Sequence, residues 1–287
     1  MKKAMIQEIQ VKKASGEQQT FSEDKLRNSL RRAGASDELI QSVIQQMQSQ
    51  LYDGISTHEI YKKAFRLLHK SVRSLAARYS LKKAIMELGP TGFPFEKLVG
   101  EILKRQGYEV QTGVTMQGKC IHHEVDVLAE KPHEVIMVEC KYHNTAGHVS
   151  GVQIPLYVNS RFQDIESVWK LHPGNENKIF HSWIVTNTRF SYDAETFGKC
   201  AGLQLLGWDY PKKGNLKYLI ERAGLFPITA LTGLSRKQKE ILIDQDIILC
   251  SQLLKKPGVI SGFEFNHRKY EEVMAELNDL CLSSELS

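Results

Sequence analysis

Val135-Ile136-Met137-Val138-Glu139-Cys140-Lys141 is an apolar run that ends on two charges placed two positions apart. It reads as a strand, and in a strand successive side chains alternate faces. Glu139 and Lys141 then share a face with Val135 and Met137, while Cys140 shares the other with Ile136 and Val138. A charged pair at the end of a buried strand is costly unless something compensates it. Asp126 stands thirteen residues before Glu139, inside a second apolar segment, Val125-Asp126-Val127-Leu128. Two strands that bring carboxylates to one place, with a lysine two positions on, can hold a divalent metal against a phosphodiester. A Mg²⁺ ion bound by Asp126, Glu139 and a backbone carbonyl, with waters filling the octahedron, would provide the compensation. Such an ion lowers the pKa of a bound water and neutralises charge on the phosphate. Lys141 could orient that water or steady the developing charge.

The surrounding pattern alternates helix and strand. Helices are expected from Phe95 to Gln106, Val149 to about Trp169 and Asp193 to Ala201, and strands at Tyr108 to Val114, Ile179 to Thr186 and Leu203 to Leu206. This is the pattern of an α/β domain with a mixed central sheet.

The order of four segments narrows the reading. Gly92-Phe93-Pro94-Phe95-Glu96-Lys97-Leu98-Val99 opens the first helix, Gly107-Tyr108-Glu109-Val110 follows, and His123-Glu124-Val125-Asp126-Val127 precedes Val138-Glu139-Cys140-Lys141. The set resembles the Mrr-like, type IV restriction endonuclease domain of the PD-(D/E)xK superfamily, over about residues 92 to 209. The resemblance implies a restriction-endonuclease-like α/β core and a Mg²⁺-dependent DNA endonuclease. It makes Asp126, Glu139 and Lys141 catalytic, with Asp126 and Glu139 as metal ligands, and points Glu96 on the first helix into the same pocket. Gln153 falls near a position where such nucleases place a polar residue. His-Glu-Val, not Pro, precedes Asp126 here. The implied partner is double-stranded DNA, modified DNA included, and double-strand cleavage implies a homodimer.

The first ninety residues read as mostly helical. Val11-Lys12-Lys13 and Gln18 to Phe21 form short strands around a Ser15-Gly16-Glu17 turn. Ser22 caps a helix that Gly34 ends, a second covers Ser36 to Leu51, Ser56-Thr57-His58-Glu59 has the form of a capping box for a third, and a fourth runs from about Val72 to Glu87. Val11-Lys12-Lys13-Ala14-Ser15-Gly16 with Phe21 and Lys25, and later Ile55-Ser56-Thr57-His58-Glu59-Ile60 and Ala77-Arg78-Tyr79-Ser80-Leu81-Lys82-Lys83-Ala84, resemble the ATP-cone, over about residues 6 to 88. That is the regulatory nucleotide-binding domain at the front of ribonucleotide reductases. The resemblance implies ATP or dATP as a regulatory ligand, with Val11, Lys12, Lys13 and Lys25 lining its site. Ala14 stands where the family usually has Arg, which removes one phosphate contact.

From Gly207 the chain turns helical again. Leu231-Thr232-Gly233-Leu234-Ser235-Arg236-Lys237-Gln238-Lys239 is similar to a helix-hairpin-helix, whose hairpin offers backbone N–H groups to a DNA phosphate. Arg236, Lys237 and Lys239 would add charge without base specificity. Ser235 replaces the second hairpin glycine, and an ordinary helical cap on the nuclease domain fits equally well.

The chain as a whole limits the alternatives. Its 287 residues suit the expected division at 1–89, 90–211 and 212–287. There is no apolar run of membrane-spanning length, and the start turns polar too soon for a signal peptide. Five scattered cysteines without a Cys-x-x-Cys pair argue for a reducing cytoplasm and against a disulfide framework or zinc ribbon. That also argues against the repressor type that joins an ATP-cone to a zinc ribbon. A net charge of +5 permits nucleic-acid binding. Gly113-x-x-x-x-Gly118-Lys119 nearly spells a P-loop, but Cys120 stands where Ser or Thr is needed, so it reads as a hairpin turn. His122, His123, Cys140, His143 and His148 fit no standard zinc spacing. The second reading is a non-catalytic, nucleotide-responsive DNA-binding protein on a nuclease fold.

Overall fold

The computed structural model describes residues 9–13 and 15–282. Ala14 lies outside them. The chain divides into two compact units, Met1–Leu81 with Ala230–Gly233, and Lys82–Thr229 with Leu234–Ser287.

In the first unit, β1 (Gln10–Lys12) pairs antiparallel with β2 (Gln18–Thr20), placing Val11 opposite Gln19. Helix α1 (Glu23–Arg32) starts where the Ser22 hydroxyl accepts the Lys25 N–H, and α2 (Asp37–Gln48) starts under Ser36. Strand β3 (Ile55–Ser56) joins β1 in parallel. Its last residue opens α3 (Thr57–Ser71) with the expected capping box between Ser56 and Glu59. Val11, Leu26, Leu30, Ile40, Ile44, Ile55 and Leu68 form the core. The single helix expected from Val72 to Glu87 is instead two, α4 (Arg73–Tyr79) and α5 (Leu81–Met86). The break falls at Ser80, whose hydroxyl donates to the Ala77 carbonyl at 3.1 Å. Such a local bond competes with continuation of the helix.

The second unit is built on α6 (Phe93–Arg105), β4 (Glu109–Gln117), β5 (His122–Lys131) and β6 (Glu134–Lys141). The short strand β7 (Val149–Ser150) leads into α7 (Gln153–Trp169), and β8 (Ile179–Thr186), β9 (Arg189–Phe190), α8 (Tyr192–Cys200) and β10 (Gln204–Leu206) follow. The five-stranded sheet has the order β10-β8-β6-β5-β4. Strands β4, β5 and β6 run as an antiparallel meander, and β8 and β10 add in parallel through helical crossovers. The central sheet is therefore mixed, as the pattern implied.

Val135 and Met137 of β6 pack with Val158, Phe162 and Ile165 of α7 in one core. Each such fully buried side chain stabilises the fold by about 1.5–3 kcal/mol. On α6, a Cβ at Gly100 would stand 3.2 Å from Val110, so the absent side chain lets the helix lie close to β4.

Two boundaries differ from expectation. The helix after β6 begins at Gln153 because Val149 and Ser150 pair with Arg189 and Phe190. Gly113 lies inside β4, and the hairpin turn is at its far end, where the Gly118 N–H donates to the Ile121 carbonyl. Alternation through Val110, Val114 and Met116 carries the strand past the glycine.

The C-terminal helices are α9 (Leu216–Ala223), α10 (Arg236–Asp244), α11 (Cys250–Leu254), α12 (Gly258–Ser261) and α13 (His267–Leu282). A 3-10 turn at Ile228–Ala230 precedes the Leu231-to-Ser235 run, where a helix-hairpin-helix would have its first helix. Among the described residues no helix is long and apolar enough to cross a membrane.

Candidate active site

The C-terminal end of β6 delivers both charges of the motif. Because Val135 and Met137 lie in the core beneath α7, alternation brings Glu139 out on that side, and only 4% of it is exposed. Lys141 forms an ion pair with Glu139 Oε1. The strand end is held from β8: Thr186 lies opposite Lys141 and donates its hydroxyl to the Lys141 carbonyl at 2.7 Å. Asn187 accepts the His143 N–H at 2.9 Å and donates back to the His143 carbonyl at 2.6 Å, fixing the chain just beyond the motif.

Asp126 comes in from β5. The β5–β6 register ends at Val127 opposite Val138, and past that point Asp126 Oδ2 accepts the Cys140 N–H at 2.6 Å. On the other side of β5 the ladder pairs Thr112 with Val127 and Val114 with Val125. Gly113, between them, has φ of +64°, a conformation that glycine adopts without steric cost.

Glu96 stands in the first turn of α6. Burial pushes its carboxyl up to about 7, and the charges of Asp126, Glu124 and Glu139 push the same way. Burial, then Glu139, holds Asp126 up at about 6, against the pull of the Cys140 N–H, Lys141 and Arg161. Burial, the largest single influence, works to lower Lys141, but the bond to Glu139 together with the charges of Glu139, Tyr157 and Asp126 outweighs it and the pKa is raised. Glu96, Asp126, Glu139 and Lys141 thus share one electrostatic environment. Gln153 is exposed at the start of α7.

Helix α7 contributes two residues that the sequence reading missed. Arg161 Nη1 donates to Glu139 Oε2 at 2.6 Å, and the same guanidinium bonds the Tyr157 hydroxyl and the Glu124 carbonyl. The Tyr157 ring, half exposed, has the Arg161 guanidinium 5.0 Å and the Lys141 ammonium 5.9 Å from its centre. Gln153, Tyr157 and Arg161 recur every four residues, which places them along one side of a helix.

Among the described residues, no group of three or more His, Cys, Asp or Glu side chains is placed to hold a metal ion by itself. The oxygen donors present are Asp126 and Glu139. That set fits Mg²⁺, which is commonly bound through one or two carboxylates, with waters and substrate phosphates completing its shell. The histidines serve elsewhere. His123 bonds Asp164 at 2.8 Å, and His143 stacks on His148 with ring centres 4.7 Å apart.

In the first unit, Val11 is 2% exposed and belongs to the core, and it lies on the central strand of its sheet, opposite Gln19 of β2 and Ile55 of β3. Lys12 and Lys25 are exposed. Lys13 folds across the turn onto Glu17 at 2.9 Å. In the C-terminal region, Arg236 pairs with Glu240 at 2.8 Å, and Lys239 donates to the Thr229 carbonyl at 2.9 Å.

Three family models match the chain: an ATP cone domain over residues 9–85, a restriction endonuclease domain over 90–209, and an AF1548-like C-terminal domain over 226–281. An uncharacterized protein from Archaeoglobus fulgidus is 34% identical over 184 residues, which span 62% of this chain and 97% of that protein. The crystal structure of AF1548, a protein of unknown function, is 30% identical with a TM-score of 0.53, over 68% of this chain and 100% of its own. The MspJI restriction endonuclease in complex with a 27-mer oligonucleotide is 15% identical with a TM-score of 0.28, over 58% of this chain and 40% of that one.

Proposed function

The chain belongs to the AF1548-like family and joins an ATP-cone to a restriction endonuclease domain, and on that premise we propose that it is a Mg²⁺-dependent DNA endonuclease controlled by ATP or dATP. The observation that carries this reading is the meeting of Glu96, Asp126, Glu139 and Lys141 at the end of β6, with two of the carboxyls held near neutral pKa by burial and mutual repulsion.

Asp126 and Glu139 would hold the ion. When bound, it supplies a water of lowered pKa and offsets charge on the phosphate. Lys141 acts as a cation and not as a base, because Glu139 raises its pKa. Its ammonium steadies the negative charge that develops on the phosphate oxygens. Glu96, at about 7, is suited to accept a proton near neutral pH. Gln153 is free at the start of α7 to hydrogen-bond the substrate. The substrate is double-stranded DNA, modified forms included, and cutting both strands calls for a homodimer. Residues 1–89 would sense the nucleotide, with Lys12, Lys13 and Lys25 at its phosphates and Val11 in the core behind them. Residues 90–211 would cut, and exposed Arg236 and Lys237 within 212–287 would add phosphate contacts.

The engagement of both Glu139 oxygens by protein cations favours the second reading, a non-catalytic nucleotide-responsive DNA-binding protein. Cleavage of plain, methylated and branched DNA with Mg²⁺ or chelator, while ATP and dATP are titrated, separates the two. The endonuclease reading expects Mg²⁺-dependent cutting that Asp126→Ala and Lys141→Ala abolish. Cutting that survives either substitution removes the site assignment. Metal-independent DNA binding, with no cutting under any nucleotide, establishes the second reading.

A further inference from the structure

Glu139 has one oxygen on Lys141 and the other on Arg161, and its side chain is only 5% exposed. Arg161 is itself 13% exposed. It reaches from α7 across to both carboxylate strands, bonding Glu139 of β6 and the Glu124 carbonyl of β5, and the Tyr157 hydroxyl holds it from its own helix. Its charge is also felt by Asp126. The guanidinium therefore stands where a cation is attracted by both of the carboxylates that would bind a metal.

We propose that Arg161 is the resident counter-ion of this site: in the metal-free protein its guanidinium occupies Glu139 Oε2, and metal binding requires it to give up that oxygen. The inference rests on reading Asp126 and Glu139 as metal ligands. Two acids forced together in a poorly solvated place repel each other, and an internal cation offsets that repulsion and keeps them aligned before the metal arrives. The same cation opposes the metal, because like charges compete for one carboxylate. Arg161 is a positioning residue that sets metal affinity. Its two other anchors, the Glu124 carbonyl on β5 and the Tyr157 hydroxyl on α7, keep it close to the site after displacement.

The test is Mn²⁺ binding to the full chain, followed by paramagnetic resonance at pH 8, where Asp126 and Glu96 are ionised. Arg161→Gln is expected to bind Mn²⁺ roughly tenfold more tightly than wild type, the scale on which a neighbouring charge shifts such equilibria. Arg161→Lys keeps the charge and is expected to stay near wild type, and Glu139→Gln to lose binding. Arg161→Gln should also melt at a lower temperature without metal and gain more from Mn²⁺. If wild type binds Mn²⁺, Glu139→Gln does not, and Arg161→Gln binds equally or more weakly, the role of Arg161 is overturned and the metal reading stands. Equal tightening in the Gln and Lys variants overturns it too. Failure of wild type and Arg161→Gln alike to bind overturns both readings. If Arg161→Gln does not fold, wild-type spectra still decide. The guanidinium N–H signals, assigned by their loss in Arg161→Lys, should exchange slowly without metal and lose that protection with saturating Mg²⁺. Unchanged protection overturns the proposal.

Discussion

Asp126 accepts the backbone N–H of Cys140 at 2.6 Å, so one candidate ligand is fastened to the strand that carries the other. The bond takes over where the β5–β6 ladder stops. An alanine at 126 leaves the Cys140 N–H without this acceptor, which costs about 1–3 kcal/mol where the donor is buried. Asparagine keeps an acceptor oxygen and removes a charge that burial and Glu139 both disfavour. Asp126→Asn is therefore expected to match or exceed wild-type stability in urea unfolding at pH 8, and Asp126→Ala to fall below it. Both should abolish Mg²⁺-dependent cleavage. Equal stability of the two variants would show that the bond holds nothing.

The raised carboxyls set a pH dependence with a definite sign. Glu96 at about 7 and Asp126 at about 6 hold protons more tightly folded than unfolded. Their contribution to stability is therefore greatest at low pH and is lost as pH rises from the ordinary carboxylate range through 6 and 7. Without metal, Glu96→Gln should gain stability relative to wild type across that window and run parallel to it above. With metal the direction reverses, because the protons must leave before the ion binds. Apparent Mn²⁺ affinity should climb from pH 5.5 to about 7.5 and then level. Thermal melting and Mn²⁺ titration across pH check the two halves separately.

Asp164 of α7 pins the turn between β4 and β5. It accepts the Cys120 N–H at 3.0 Å, the Ile121 N–H at 3.5 Å and His123 Nε2 at 2.8 Å. The His123 bond and those from Cys120 and Ile121 hold its carboxyl down at about 2. A depressed carboxyl contributes stability that is full above its unfolded pKa and lost as pH falls through the folded value. Asp164→Asn, with one acceptor oxygen, should melt below wild type at pH 7. The gap should narrow between pH 4 and 2. Hydrogen exchange at the Cys120 and Ile121 amides should quicken in the variant, and unchanged exchange would show that the turn closes without Asp164.

What was legible in the sequence is what local pattern records. Glu139 and Lys141 could be placed on one face because alternation is a property of the strand itself, and the Ser56–Glu59 box because capping spans four residues. Arg161 was invisible because its partners, Glu139 and Glu124, lie on other elements. The four-residue spacing from Gln153 through Tyr157 was its one trace. Val149 and Ser150 looked like the start of a helix because their strand partner, β9, comes forty residues later. Thr186-Asn187-Thr188, fully or almost fully buried at the end of an apolar strand, carried a readable signal. Three polar residues in such a place call for bonding partners: the Lys141 and His143 backbone serves Thr186 and Asn187, and Thr188 bonds Thr186.

The lysines of the first unit differ in what a nucleotide would have to displace. Lys12 is exposed on the strand face opposite buried Val11, and Lys25 is exposed in the first turn of α1. Lys13 is already paired with Glu17, in a contact whose side chains are 35% and 64% exposed. A surface pair of that kind is worth at most about 1 kcal/mol, so a triphosphate can compete for the lysine. Lys12→Ala and Lys25→Ala should each weaken binding of a fluorescent ATP analogue. Lys13→Ala should weaken it less, because the free protein also loses a contact. Glu17→Gln should tighten binding by releasing Lys13, and raising the salt concentration should shrink that gain. Unchanged affinity in all four variants would remove these residues from the nucleotide site, and absence of binding by the wild-type chain would leave the ATP-cone as a docking domain.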